Sequence, residues 1–157
     1  MNKKWQIYET NEAEINKISQ KYNLNRLLSS IIVNRNIKED IDVFLNPTRS
    51  NFYDPFLMPD MEIAVDRIIK AINNKEKMII YGDYDVDGIT SITVLKSFLE
   101  DRGIYVDSYI PNRLEEGYGL NKPAIDYIVK EKYTLMITVD TGISGIEEIE
   151  YANSIRN

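Results

Sequence analysis

Neither cysteine nor histidine occurs anywhere in the 157 residues. Without cysteine there are no disulfides and no thiolate metal site, a composition that suits the cytoplasm. Without histidine the chain has no imidazole general base and no imidazole metal ligand. Catalysis would have to rest on carboxylates, metal ions and Arg/Lys. Positive charge is also short: 19 Lys and Arg against 25 Asp and Glu leave a net charge of −6. The chain is therefore not a polybasic nucleic-acid binder held by counterion release. Any nucleic acid it handles must be gripped locally or by other parts. No apolar run approaches the roughly 20 residues needed to cross a bilayer, so no membrane partner is expected. The start, Met1 to Gln6, carries charge with no apolar segment behind it, and no signal peptide is expected.

What is present is ordinary for a globular protein. Apolar residues make up 43% and aromatics 10%, enough for one domain with a small extension. Residues 1–58 read as a helical extension and connector. Apolar residues recur at helical spacing over Glu12 to Tyr22, Leu24 to Val33 and Ile37 to Leu45. The stretch Asn46 to Pro59 holds Pro47, Pro55 and Pro59 and reads as irregular.

From residue 59 to 157 the pattern alternates. Asp60 can cap a helix running to Asn73, with Ala64, Ile68 and Ile72 on its inward face. Met78 to Tyr81 is a short buried-strand run, followed by a helix from about Gly88 to Arg102 that stops at Gly103. Ile104 to Ile110 reads as a second strand, Pro123 to Lys132 as a helix, Thr134 to Val139 as a third strand and Gly145 to Asn153 as another helix. Strands separated by helices predict an α/β fold, a parallel sheet with helices on both faces. Ligands of such sheets bind beyond the C-terminal strand ends. Gly82 to Gly88 and Asp140 to Ser144 fall there.

Asp83, Asp85 and Asp87 occupy alternate positions, which in extended backbone face one side. Asp140 joins them if the third strand lies beside the first. Two carboxylates about 4 Å apart repel by roughly 4 kcal/mol at an effective dielectric near 20. A hard divalent cation such as Mg²⁺ or Mn²⁺ would offset that repulsion. Helix N-termini near Gly88 and over Gly142, Ser144 and Gly145 would offer backbone amides to a phosphate. Together these point to metal-assisted phosphoryl chemistry.

Other readings compete. An acidic, solvated turn explains a lone D-x-D, but here a fourth aspartate ends a second strand. D-x-D-x-D-G opens a calcium loop, yet position 12 would be Val94 instead of glutamate, and an apolar strand directly precedes the motif. An aspartyl-nucleophile phosphatase is closer, because Asp85 to Ile89 approximates its D-x-D-G-[TV] signature. Ile89 stands where that pattern has a hydroxyl or valine.

Three segments carry a family resemblance: IIYGDYDVDGITS (Ile79 to Ser91), YIPNRLEEGYGLN (Tyr109 to Asn121) and ITVDTGIS (Ile137 to Ser144). In order and spacing they resemble the DHH (Asp-His-His) phosphoesterase superfamily, and within it the bacterial single-stranded-DNA-specific exonucleases. The resemblance extends over nearly the whole chain. It implies a two-metal site, with Mn²⁺ or Mg²⁺, that removes nucleotides from single-stranded DNA in the 5′ to 3′ direction. Asp85 and Asp87 fall on the first motif and Asp140 on the second, whose carboxylate bridges the metals. These three are the implied catalytic residues, with Asp83 as a further ligand or a supporting group. Many relatives place a histidine where this chain has Tyr81. Arg113 resembles a phosphate or DNA contact, although a loop arginine paired with Glu115 or Glu116 would look the same. Tyr118 is expected to shape its loop.

The Asp-His-His motif itself is expected about 20 residues beyond the second motif, past Asn157. The chain is therefore expected to be the first part of an exonuclease, inactive alone. The resemblance also implies single-strand-binding protein as a partner and a role in DNA repair and recombination. A superfamily phosphodiesterase for short oligonucleotides or cyclic dinucleotides, or a non-catalytic interaction module, remain the alternatives.

Overall fold

Asparagine opens both of the first two helices in the computed structural model, which describes residue 4, residues 9–38 and residues 40–155. The Asn11 side chain accepts from Glu14 N–H at 3.1 Å to start α1 (Glu12–Tyr22), and Asn25 accepts from Leu28 N–H at 2.9 Å to start α2 (Arg26–Asn34). Such a cap contributes about 1 kcal/mol by satisfying an otherwise free amide. Ile15 from α1 and Ile32 from α2 are buried where the two helices pack. The helix expected from Ile37 shortens to α3 (Ile41–Leu45), because Asn36 and Asp40 both adopt left-handed backbone that interrupts the helical path. The proline-rich connector contains two single 3₁₀ turns, Arg49–Asn51 and Pro55–Leu57. These elements form one compact unit, Met1–Leu57, and Met58–Asn157 forms a second. The reading of Met1 to Gln6 falls, Lys4 apart, outside the described residues. Among the described residues no helix is long and apolar enough to cross a membrane.

The second unit is built on a parallel sheet of β1 (Met78–Gly82), β2 (Asp107–Tyr109) and β3 (Leu135–Val139), in the order β2-β1-β3. Ile80 pairs with Ser108 on one side and Ile137 on the other, so β1 is central. All five β1 residues are buried, as expected of a parallel strand covered on both faces. Their alternation separates two cores. Met78 and Ile80 pack with Ala71 of α4 (Met61–Asn73) and with Ile92 and Leu99 of α5 (Val86–Glu100). On the other face, Ile79 and Tyr81 pack with Ala124 and Ile128 of α6 (Lys122–Lys130). Each fully buried isoleucine contributes on the order of 2 kcal/mol. Helix α7 (Ile146–Ser154) follows β3 and packs on α6. The parallel sheet with helices on both faces is therefore the architecture observed.

Some local expectations differ. Asp60 stands at the cap position of α4 in left-handed backbone, and its side chain makes no capping bond. Ala64 is exposed, while Ala71 supplies the buried small residue of that helix. The second strand keeps only three of the seven residues expected, since Ile104 to Val106 serve as the entry to β2. Helix α5 begins at Val86, two residues before Gly88, and that shift rearranges the aspartates.

Candidate metal centre

Strand β1 ends at Gly82, and the backbone turns at once into α5, so the three aspartates do not share one extended run. Asp83 lies just past the strand and is fully buried. Asp85 is the N-cap of α5: its Oδ1 accepts from the Asp87 and Gly88 amides, both at 3.0 Å. Asp87 lies in the first helical turn, exposed like Asp85. The alternation expected of an extended segment is thus replaced by three different environments.

Gly88 makes this turn possible. A Cβ built on it would stand 2.2 Å from the Asp83 carbonyl oxygen and 2.7 Å from the Asp83 nitrogen. The first turn of α5 therefore lies directly on the Asp83 backbone. The Gly88 amide, expected to meet a phosphate, is instead taken by Asp85.

Both carboxylate oxygens of Asp83 are buried without a hydrogen-bond partner. Burying a carboxylate costs several kcal/mol unless donors or a cation compensate. No donor faces it among the described residues, which suits a hard cation. Asp140 follows β3, which pairs with β1, the condition on which it was to join the other aspartates, and has left-handed backbone, φ 54°. Burial and then the charges of Asp85, Asp87 and Asp83 push its carboxyl above the usual range, so the four carboxylates share one field. Among the described residues no set of three or more potential ligands closes around a point where a metal ion could be held. The four carboxylates stand in one neighbourhood without converging on a single point.

The β3–α7 turn and the Asn112 to Asn121 loop flank the carboxylates. Tyr118, Asp140, Gly142 and Ser144 line one cavity of about 380 Å³. Gly142 has φ 101° and sits so close to Thr138 that a Cβ would lie 3.0 Å from its Oγ1. Ser144 is exposed, and the Gly145 amide is bonded within the turn to the Gly142 carbonyl at 2.9 Å. Arg113 is exposed with its guanidinium 5.3 Å from the Tyr84 ring centroid. Among the described residues it forms no salt bridge to Glu115 or Glu116.

Motif reading singled out Tyr81 and Tyr118 but missed the aromatic partners they meet, Tyr109 and Tyr84. Tyr84 meets Tyr118 edge-on at 6.4 Å. The Tyr118 hydroxyl is held above its ordinary value by Asp83, with burial, Asp140 and Asp85 adding to the effect. Tyr81, where relatives were expected to carry histidine, is buried and donates to the Gly119 carbonyl at 2.8 Å. Burial, then Glu116, Tyr109 and Asp83, push its hydroxyl well up. The available signal was compositional: 11 tyrosines against 4 phenylalanines and 1 tryptophan.

The covered parallel sheet, with aspartates beyond β1 and β3, defines an α/β domain, and residues 77–157 match the model of the DHH family, N-terminal domain. The chain belongs to the DHH family. It is similar to the single-stranded-DNA-specific exonuclease RecJ of Bacillus subtilis, 38% identical over 154 residues, which is 97% of this chain and 20% of that protein. It is also similar to RecJ of Escherichia coli, 34% identical over 96 residues, 60% of this chain and 17% of that one. A crystal structure of exonuclease RecJ bound to manganese superposes with TM-score 0.54 at 33% identity, covering 59% of this chain and 24% of that chain. RecJ from Thermus thermophilus in complex with Mn²⁺ shares the fold, with TM-score 0.59 at 19% identity, over 92% of this chain and 20% of that one. The chain spans about a fifth of the length of these relatives.

Proposed function

We propose that this chain supplies the first part of the metal centre of a RecJ-like exonuclease, which hydrolyses single-stranded DNA from the 5′ end. The observation that carries the reading is Asp83, fully buried with both oxygens unpartnered and sharing a field with Asp140. Mn²⁺ or Mg²⁺ fits that donor set, and the similar RecJ structures hold manganese. Asp83, Asp85, Asp87 and Asp140 would hold the ion, which when bound supplies Lewis-acid polarisation of the phosphodiester. Asp85 keeps Oδ2 free of the capping bonds that engage Oδ1. Arg113, Gly142 and Ser144 stand on the segments beside the carboxylates, where a strand's phosphates would pass. The activity belongs to the whole protein, acting in the cytoplasm in DNA repair and recombination, with single-strand-binding protein as a partner.

The test is digestion of single-stranded DNA labelled at either end by the whole protein in Mn²⁺. Loss of label first from the 5′ end, abolished by Asp85→Ala and by Asp140→Ala, is the expected result. Unchanged rates in both variants would remove the assignment.

A further inference from the structure

One carboxylate closes the Asn112 to Asn121 loop. Glu116 Oε1 accepts the Tyr109 hydroxyl at 2.7 Å and the Asn121 amide at 3.2 Å, while Oε2 accepts the Asn112 N–H at 2.6 Å. Tyr81 extends the network by donating to the Gly119 carbonyl and accepting from Asn121 Nδ2 at 3.1 Å. Its ring stacks on Tyr109 with centroids 5.3 Å apart. Asn121 also caps α6 by accepting from Ala124 N–H at 2.8 Å. Both ends of the loop, and Gly119 near its close, are thus bound to β1, β2 and α6. These bonds outweigh partial burial and hold the Glu116 carboxyl below its usual range.

The loop presents a different set of side chains outward. Tyr118 is 70% exposed, and its ring rests edge-on against Tyr84. On its other side it walls the cavity that contains Asp140. No side-chain hydrogen bond fixes Tyr118 among the described residues, so the backbone sets its position, and Glu116 sets the backbone. An ionised carboxylate taking three donors on a loop is a strong local constraint, since charge-assisted bonds are about twice as strong as neutral ones.

We propose that Glu116 is a positioning residue that latches this loop onto Tyr109 and Asn121 and so holds Tyr118 across Tyr84 as a wall of the cavity beside Asp140. The inference rests on reading that cavity as the place where a nucleic-acid strand enters. Releasing the latch lets the wall move while leaving the carboxylates in place. Strand binding then weakens, and in the whole protein KM rises with kcat little changed.

The experiment uses the 157-residue chain with labelled tyrosines and no metal. An NOE between the Tyr84 and Tyr118 rings is expected in the wild type and lost in Glu116→Ala. Tyr109→Phe keeps the stack on Tyr81, removes one bond of the latch, and serves as the second variant should Glu116→Ala fail to fold. It should weaken the NOE at a near-wild-type melting temperature. A short single-stranded oligodeoxythymidine with Mg²⁺ should bind Tyr109→Phe about fivefold more weakly than wild type, the equivalent of one hydrogen bond. An undiminished NOE in both variants overturns the latch, and a lost NOE with unchanged oligonucleotide affinity overturns its role in strand binding. Wild-type protein that does not bind the oligonucleotide in Mg²⁺ would sink the strand-entry reading and with it that role, while the NOE still decides the latch itself.

Discussion

Gly88 lies against Asp83 so closely that any side chain would collide with backbone: a Cβ would come within 2.2 Å of the Asp83 carbonyl oxygen. Backbone cannot yield as a flexible side chain can, so Gly88→Ala must push α5 off the end of β1. The expected cost is about 3 kcal/mol or more, at the upper end of overpacking penalties. Urea unfolding would measure it. A loss below about 1 kcal/mol would show that the close approach is not needed.

Asp83 carries a stability cost that its function would explain. Asp83→Leu places methyl groups of similar shape where the two unpartnered oxygens stand. In a chelating buffer the variant should be more stable by about 1–3 kcal/mol, the penalty of an unsatisfied buried group. The gain should shrink or reverse in Mn²⁺, because only the wild type keeps the ligand. Equal stability in the chelator would mean that the carboxylate is compensated in some other way.

The opposite end of the sheet supplies a pH dependence. Arg67 and the Thr134 hydroxyl both donate to Glu76 Oε2 at 2.7 Å, and they lower its carboxyl from 4.5 to about 2. A depressed folded-state value stabilises the protein above pH 4.5, and the contribution is lost as pH falls towards about 2. Glu76→Gln should therefore flatten the acid limb of a stability–pH curve across that window and leave its shape above it unchanged. An identical acid limb in the variant would contradict the assignment.

The elements legible in the sequence were those with strong period and a clear stop. Helix α1 matched Glu12 to Tyr22, and β1 and β3 ended within a residue of expectation. The parallel-sheet reading left open whether β3 lies beside β1, and the observed pairing of the two strands meets the condition set for Asp140. Alternation of Asp83, Asp85 and Asp87 misled in one respect. Asp85 is a better N-cap than strand residue, and its side chain draws the helix start back to Val86. Helix breaks at Asn36 and Asp40 were hidden because left-handed backbone at Asn and Asp is a tertiary choice. The tyrosine–glutamate network could not be read either, because its partners come from β1, β2 and the loop before α6. Periodicity does not encode which hydroxyl meets which carboxylate.

A cation held among Asp83, Asp85, Asp87 and Asp140 is tested most directly by the thermal unfolding of the chain across a Mn²⁺ titration. A single site saturated to about 100 times its dissociation constant should add about 2.7 kcal/mol, visible as a rising midpoint. That rise should disappear in Asp140→Ala and Asp83→Leu. No Mn²⁺-dependent shift in the wild type, or a shift of equal size in both variants, would contradict a metal centre at these residues.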